Sequence, residues 1–340
     1  MQKTLLMRHL FFALNLAAVL FASAKTVDKD IKIINPADGV VLAGTLTQPI
    51  DKNPKGVLIL VTGSGCQDRD ETIFGKKPFR TIADSLAAHG YASFRYDDRG
   101  AGESGGDFKT ATADTYLSDL KCMLACSDSI FKDTRTGILG HSEGAWTAIQ
   151  SASNPSCDFI ITLAGPAWKG DSLIMSQSRA IAVAQSGRWD KEKTQRKLLD
   201  ICMMPVPENI IKTQLYMALS AEYGDAATMP AVQKQLSAAV DVMTAEHYRQ
   251  LLNYDPAEDI KNVSKPWLAI NGSVDIQVLP ENLETFKQLN KTVDTVLLEG
   301  HNHLFQKGGT GSIQEYKNLD GDISAECIFH IIDWLDKLEK

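Results

Sequence analysis

Residues 56–62 read Gly-Val-Leu-Ile-Leu-Val-Thr, an almost unbroken apolar run. Such a run suits a strand buried on both faces, as in a parallel sheet. Tyr91–Tyr96, Thr136–Gly140, Phe159–Leu163, Trp267–Asn271 and Thr295–Glu299 are further strand candidates. Between them, apolar positions recur at helical spacing over Phe79–His89, Thr112–Ala125, Ser142–Ser153, Pro280–Leu289 and Ser324–Leu338. Strand alternating with helix predicts an α/β fold: a mostly parallel central sheet, helices on both faces, right-handed crossovers. Upstream, Ile31–Ile34 and Val40–Thr47 flank an Asp38-Gly39 turn and predict an antiparallel start.

The alternation stops at Gly165-Pro166 and resumes at Trp267. Residues 167–260 carry helical periodicity, few strand-like runs and Met175, Met203, Met204, Met217, Met229 and Met243. They predict a helical cap inserted between two sheet strands, over a catalytic domain made of residues 25–166 and 261–340. Most of the cap's Met and aromatic residues (Trp168, Trp189, Tyr216, Tyr223 and Tyr248) are expected in its own core. A few are left to line a substrate cleft.

The first 24 residues have a different pattern. Lys3 and Arg8 precede an apolar stretch, Leu10 to Phe21, broken only by Asn15, and Ala22-Ser23-Ala24 is a small-x-small site. This is the pattern of a signal peptide over residues 1–24. It predicts a secreted or periplasmic protein with no stable membrane span once the leader is removed.

Net charge is −7, and the leader's charged residues are basic, so its removal makes the chain more acidic. An acidic chain disfavours a nucleic-acid partner, which needs a basic face. Six Cys stand at 66, 122, 126, 157, 202 and 327. Their spacing is too irregular for a disulfide framework, and most are expected in the interior. Cys122 and Cys126, four apart on a predicted helix, read as two small core residues on one face. Oligomeric state is not legible in the pattern.

The sharpest chemical signal is Gly140-His141-Ser142-Glu143-Gly144, a G-x-S-x-G sequence after a strand and before a helix. A serine hydroxyl is a weak nucleophile and must be presented to a base and a carbonyl. A tight strand-to-helix turn exposes the Oγ at the carboxyl edge of the sheet. Asp275 follows the Trp267–Asn271 strand, and His303 follows the last strand. Both are therefore expected at the same edge, where sites of parallel sheets assemble. His301 is the rival base, and His301 with His303 could form a metal pair, but no third ligand of suitable spacing accompanies them. His141 reads as structural. Asp97, Asp98 and Arg99, with Asp68, Arg69 and Asp70, read as charges that pin neighbouring loops by ion pairs.

Four segments, with the G-x-S-x-G turn, resemble the α/β-hydrolase superfamily. They are Thr62-Gly63-Ser64-Gly65-Cys66-Gln67-Asp68-Arg69-Asp70, Tyr96-Asp97-Asp98-Arg99-Gly100-Ala101-Gly102-Glu103-Ser104, Gly272-Ser273-Val274-Asp275 and Asn302-His303-Leu304-Phe305-Gln306. The resemblance is to exported esterases related to the serine aminopeptidase and prolyl-oligopeptidase groups, and it runs from about Val40 to Trp334. It implies a triad of Ser142, Asp275 and His303, in the chain order of that fold. It also implies an oxyanion hole built from the backbone N–H groups of Ser64 and Glu143, with Gly65 the next choice to Ser64. Thr62 stands where the family carries a His. No cofactor and no metal are implied.

The expected function is a serine hydrolase working through an acyl-enzyme on a carboxylic ester of small to medium acyl group. A peptidase of short peptides is one alternative. A non-catalytic small-molecule binding protein on a hydrolase fold is another, disfavoured by the joint presence of Ser, Asp and His.

Overall fold

The computed structural model describes residues 26–50 and 52–339. The leader expected over residues 1–24 lies outside them. Eight strands form one sheet: β1 (Thr26–Ile34), β2 (Val41–Pro49), β3 (Val57–Val61), β4 (Ala92–Tyr96), β5 (Thr136–His141), β6 (Phe159–Leu163), β7 (Trp267–Gly272) and β8 (Asp294–Leu298). Their spatial order is β1-β2-β4-β3-β5-β6-β7-β8. β2 runs antiparallel to both β1 and β4, and every other pairing is parallel.

The apolar runs are central strands because both of their faces are covered. Along β3, Val57, Ile59 and Val61 join one core, with α2 (Ala113–Ile130), α3 (Glu143–Ser151) and α10 (Glu281–Leu289). Leu58 and Leu60 point the other way, into a core with α1 (Pro78–Ala88) and α11 (Ala325–Leu338). This is the period-2 alternation of a strand, apolar at every position because helices cover both sides. β1 differs. It begins at Thr26, five residues before the predicted Ile31, and most of its length is exposed. An edge strand with Asp and Lys alternating outward carries little apolar signal, and those charges protect the edge from further pairing.

Between β6 and β7 the chain forms α4 (Gly170–Ser186), α5 (Glu192–Cys202), α6 (Glu208–Tyr223), α7 (Pro230–Thr244), α8 (Glu246–Asn253) and the short α9 (Ala257–Asn262). These helices carry a core of their own around Leu199, Cys202, Ile211, Leu215, Val240 and Leu252. Met175, Met203, Met204 and Met243 pack against it, while Met217 and Met229 are exposed. None of the helices among the described residues is long and apolar enough to cross a membrane.

All six Cys are free thiols. Cys157, Cys202 and Cys327 are buried, Cys122 and Cys126 are half-buried, and Cys66 is exposed. The expectation that most lie inside therefore holds for only half of them. Cys122 and Cys126 lie outside the fully buried stripe of Leu120, Met123 and Leu124, but Cys126 packs against that core.

Candidate active site

Ser142 sits between β5 and α3 with φ +52° and ψ −119°. A non-glycine residue there is strained, and the surrounding packing enforces it. A Cβ on Gly140 would lie 2.2 Å from the Gly144 carbonyl oxygen, and one on Gly144 would lie 2.4 Å from the carbonyl oxygens of Val61 and Thr62. Both neighbours are backbone, so only glycine lets the turn close this tightly onto β3. The Ser142 N–H donates to the Leu163 carbonyl at 2.9 Å and ties the turn to the end of β6.

The loops after β7 and β8 bring Asp275 and His303 together. His303 Nδ1 is 2.8 Å from Asp275 Oδ2. The other carboxylate oxygen accepts from the N–H groups of Gln277, at 2.8 Å, and Val278, at 3.0 Å. Both side chains are buried. The carboxylate is thus fixed in rotation, and it fixes the imidazole in turn. The His303 loop is shaped from within: Asn302 Oδ1 accepts from the N–H groups of Leu304 and Gln306. His301, the rival, turns away, with Nδ1 on the Glu299 carbonyl and Nε2 on the Ser324 hydroxyl. His303 Nε2 and Ser142 Oγ make no direct hydrogen bond here; such contacts commonly tighten only when substrate binds.

The loop after β3 crosses in front of Ser142, since a Cβ on Gly63 would sit 3.1 Å from Ser142 Cβ. The Gly63 N–H is engaged, donating to Glu71 Oε1 at 2.7 Å. Among the described residues, the N–H groups of Ser64 and of Glu143, the first residue of α3, have no acceptor. The helix N-terminus adds partial positive charge there. Thr62 donates its hydroxyl to Asp98 Oδ1 at 3.0 Å, and the Gln67 N–H donates to Asp98 Oδ2 at 3.0 Å. The loop therefore has its own support at Thr62. Burial pushes the Asp98 carboxyl up to about 7, against those two hydrogen bonds.

Charged residues around the site pin loops. Arg69 makes a two-pronged contact with Asp97, its Nε to Oδ1 at 3.1 Å and its Nη2 to Oδ2 at 2.7 Å. Arg95 pairs with Asp70, and Arg99 with Asp119 and Asp38. Among the described residues, no three His, Cys, Asp or Glu side chains gather where they could hold a metal ion.

Two features go beyond the sequence reading. His141, read as structural, is hydrogen-bonded on both ring nitrogens, and its ring lies tilted at 4.8 Å, centroid to centroid, from the His303 ring. Glu71, its partner, had not been singled out; its only sequence signal is that it directly follows the Asp68-Arg69-Asp70 segment. The second is His247 of α8, whose Nε2 lies 2.7 Å from Glu143 Oε1 and joins the inserted helices to the residue after Ser142.

Comparison with known proteins agrees with this architecture. The family model described as "Serine aminopeptidase, S33" matches residues 76–210, a span that includes Ser142. Esterase EstD of Thermotoga maritima is 25% identical over 303 residues, covering 87% of this chain and 66% of that protein, so the chain spans a little less than two thirds of that relative. Among solved structures, the Pyrococcus furiosus esterase Pf2001 superposes with a TM-score of 0.57 at 17% identity, covering 93% of this chain and 92% of that one. The ferulic-acid-bound Est1E of Butyrivibrio proteoclasticus superposes at 0.53 with 14% identity, covering 91% and 97%. With its strand order, its strained serine turn and these likenesses, the chain has the α/β-hydrolase fold.

Proposed function

We propose that this protein is a serine esterase that forms an acyl-enzyme on Ser142. The observation that carries the reading is the strained Ser142 turn, set at the sheet edge that also bears the Asp275–His303 pair. In the first half-reaction, His303 Nε2 takes the Oγ proton as Oγ bonds to the ester carbonyl carbon. The carbonyl oxygen becomes an oxyanion, accepted by the unengaged N–H groups of Ser64 and Glu143. Collapse breaks the bond to the alcohol oxygen, which leaves with the proton from His303. Water repeats the sequence and releases the acid. Asp275 keeps the proton of neutral His303 on Nδ1 and stabilises the imidazolium. Every group in this route belongs to the chain.

A small to medium acyl group is supported by a groove beside the Asp275 loop, lined by Ile276 and Leu279 and, from the chain between β6 and β7, by Trp168, Met175, Val183 and Trp189. Predominantly apolar walls suit the acyl part of an ester. The names of the relatives, esterases of Thermotoga and Pyrococcus, support the ester reading. The family description supports a second reading, a peptidase of short peptides. The leader pattern supports export, with the mature chain starting near Lys25.

The test is reaction of the purified protein with a fluorophosphonate, followed by peptide mapping, beside assays on p-nitrophenyl acetate, p-nitrophenyl butyrate and an aminoacyl p-nitroanilide. Label on Ser142 with ester turnover is the expected result. Label with anilide turnover alone would shift the assignment to a peptidase. Absence of label in folded protein would sink both. Mass spectrometry of the exported form checks the start; a retained Met1 would sink the export reading.

A further inference from the structure

His141 is the last residue of β5, and its side chain is buried directly behind the His303 ring. Its Nδ1 lies 2.8 Å from Glu71 Oε1, and its Nε2 lies 3.0 Å from the main-chain carbonyl oxygen of His303. A carbonyl can only accept, so Nε2 carries a proton. Glu71 Oε1 already accepts the Gly63 N–H. If Glu71 is a carboxylate, Nδ1 carries a proton too, and the ring is an imidazolium. The alternative leaves the proton on Glu71, on the less basic of the two groups. Glu71 is itself held at φ +53°, a strained conformation for a glutamate, and is buried. Strain of that kind persists where the surroundings over-determine a residue, and it clusters at functional sites.

We propose that Glu71 and His141 form a buried ion pair that positions both halves of the catalytic apparatus. The carboxylate fixes Gly63 and thereby aims the Ser64 N–H. The imidazolium fixes the backbone of His303. One hydrogen-bonded chain thus runs from the oxyanion loop, through Glu71 and His141, to the residue that moves the proton. Neither side chain touches the substrate; both are positioning residues.

The surroundings of the His141 ring favour its charged form. The groups facing the His141 ring are Glu71 from the loop after β3, His303 from the loop after β8, Asp275 behind it, and the uncharged Phe305 ring. Burial works against the charged ring, yet Glu71 next to it carries the His141 pKa above its ordinary value.

The ion pair does not depend on the esterase reading, whereas its kinetic consequence rests on it, so the test has two arms. In the first, full-length protein labelled with [15N]histidine is observed by NMR at pH 7 to 8, with His141→Gln serving to assign the signal. Both His141 ring nitrogens should appear protonated, and this signature should vanish in Glu71→Gln. One unprotonated ring nitrogen in the wild type would overturn the ion pair, whatever the enzyme does. In the second arm, ester turnover is measured for Glu71→Gln and Glu71→Asp. The expected result for Glu71→Gln is a kcat about 10- to 100-fold lower with KM within about threefold. Glu71→Asp, which keeps the charge, should recover part of kcat. A raised KM with kcat unchanged in Glu71→Gln, or no recovery in folded Glu71→Asp, would overturn the positioning role. A wild type that shows the NMR signature but never labels at Ser142 would retire the esterase reading and the catalytic consequence together, and leave the ion pair standing.

Discussion

At the carboxyl edge of the sheet, the turn around Ser142 is closed by backbone contacts that no other residue type can copy. The helices between β6 and β7 are instead joined by Leu, Ile and Met contacts that other apolar residues could reproduce. Gly140 and Gly144 touch main-chain oxygens at distances that exclude any Cβ. Asp275 spends both oxygens, and Gly63 spends its N–H. By contrast, Met217 and Val242 of the inserted helices stand 66% and 64% exposed, with no neighbour to dictate them. The turn at the sheet edge is thus specified atom by atom, and the inserted helices only by volume and polarity.

The comparison breaks first if the sheet edge turns out to tolerate change. Ser142→Ala should lower kcat for a p-nitrophenyl ester by about 10³-fold or more while leaving the melting temperature within a degree or two. Asp275→Asn should cost about 10³- to 10⁴-fold, because the amide cannot keep the proton of His303 on Nδ1. His301→Asn should leave turnover within a few-fold, since that ring faces Glu299 and Ser324. Steady-state kinetics on the three variants decide the matter; a His301 variant as dead as the Asp275 variant would reverse the choice of base.

A smaller effect sharpens the same contrast in stability. Gly144→Ala must push α3 away from the end of β3, at a cost on the order of 3 kcal/mol. Leu198→Met, a change of similar bulk in the core of the inserted helices, should cost under about 1.5 kcal/mol. Urea unfolding of both variants measures the gap, and equal costs would remove the distinction drawn between the two regions.

What was legible in the chain follows the same division. The buried strands announced themselves through continuous apolar runs, and Ser142, Asp275 and His303 through their positions just past strand ends. The first five residues of β1 did not, because an edge strand satisfies its pairing with Asp and Lys facing solvent. The pairing of Glu71 with His141 stayed hidden for another reason. Their meaning lies in a contact across 70 residues of chain, between a loop and the end of a strand. No local pattern signals that contact. The groove walls were equally silent, since Met and Trp in a helical insert read the same whether they face its core or a substrate.

The contact between the two regions yields the smallest expected effect. His247 of α8 reaches Glu143 at 2.7 Å, and its ring meets Tyr116 edge-on at 5.5 Å. Burial disfavours the charged ring, but Glu143 next to it raises the His247 pKa above its ordinary value. A histidine whose pKa is raised by folding contributes stability that is fully present below its unfolded value, about 6.5, and lost as pH rises through the folded one. His247→Phe keeps the ring contact with Tyr116 and deletes the charge. Wild type should therefore exceed the variant by about 1 kcal/mol at pH 6, with the margin shrinking toward pH 9. Urea denaturation at the two pH values reads this directly. A margin independent of pH would mean that His247 joins the inserted helices to the sheet edge by packing alone, and that the contact beside Ser142 carries no charge.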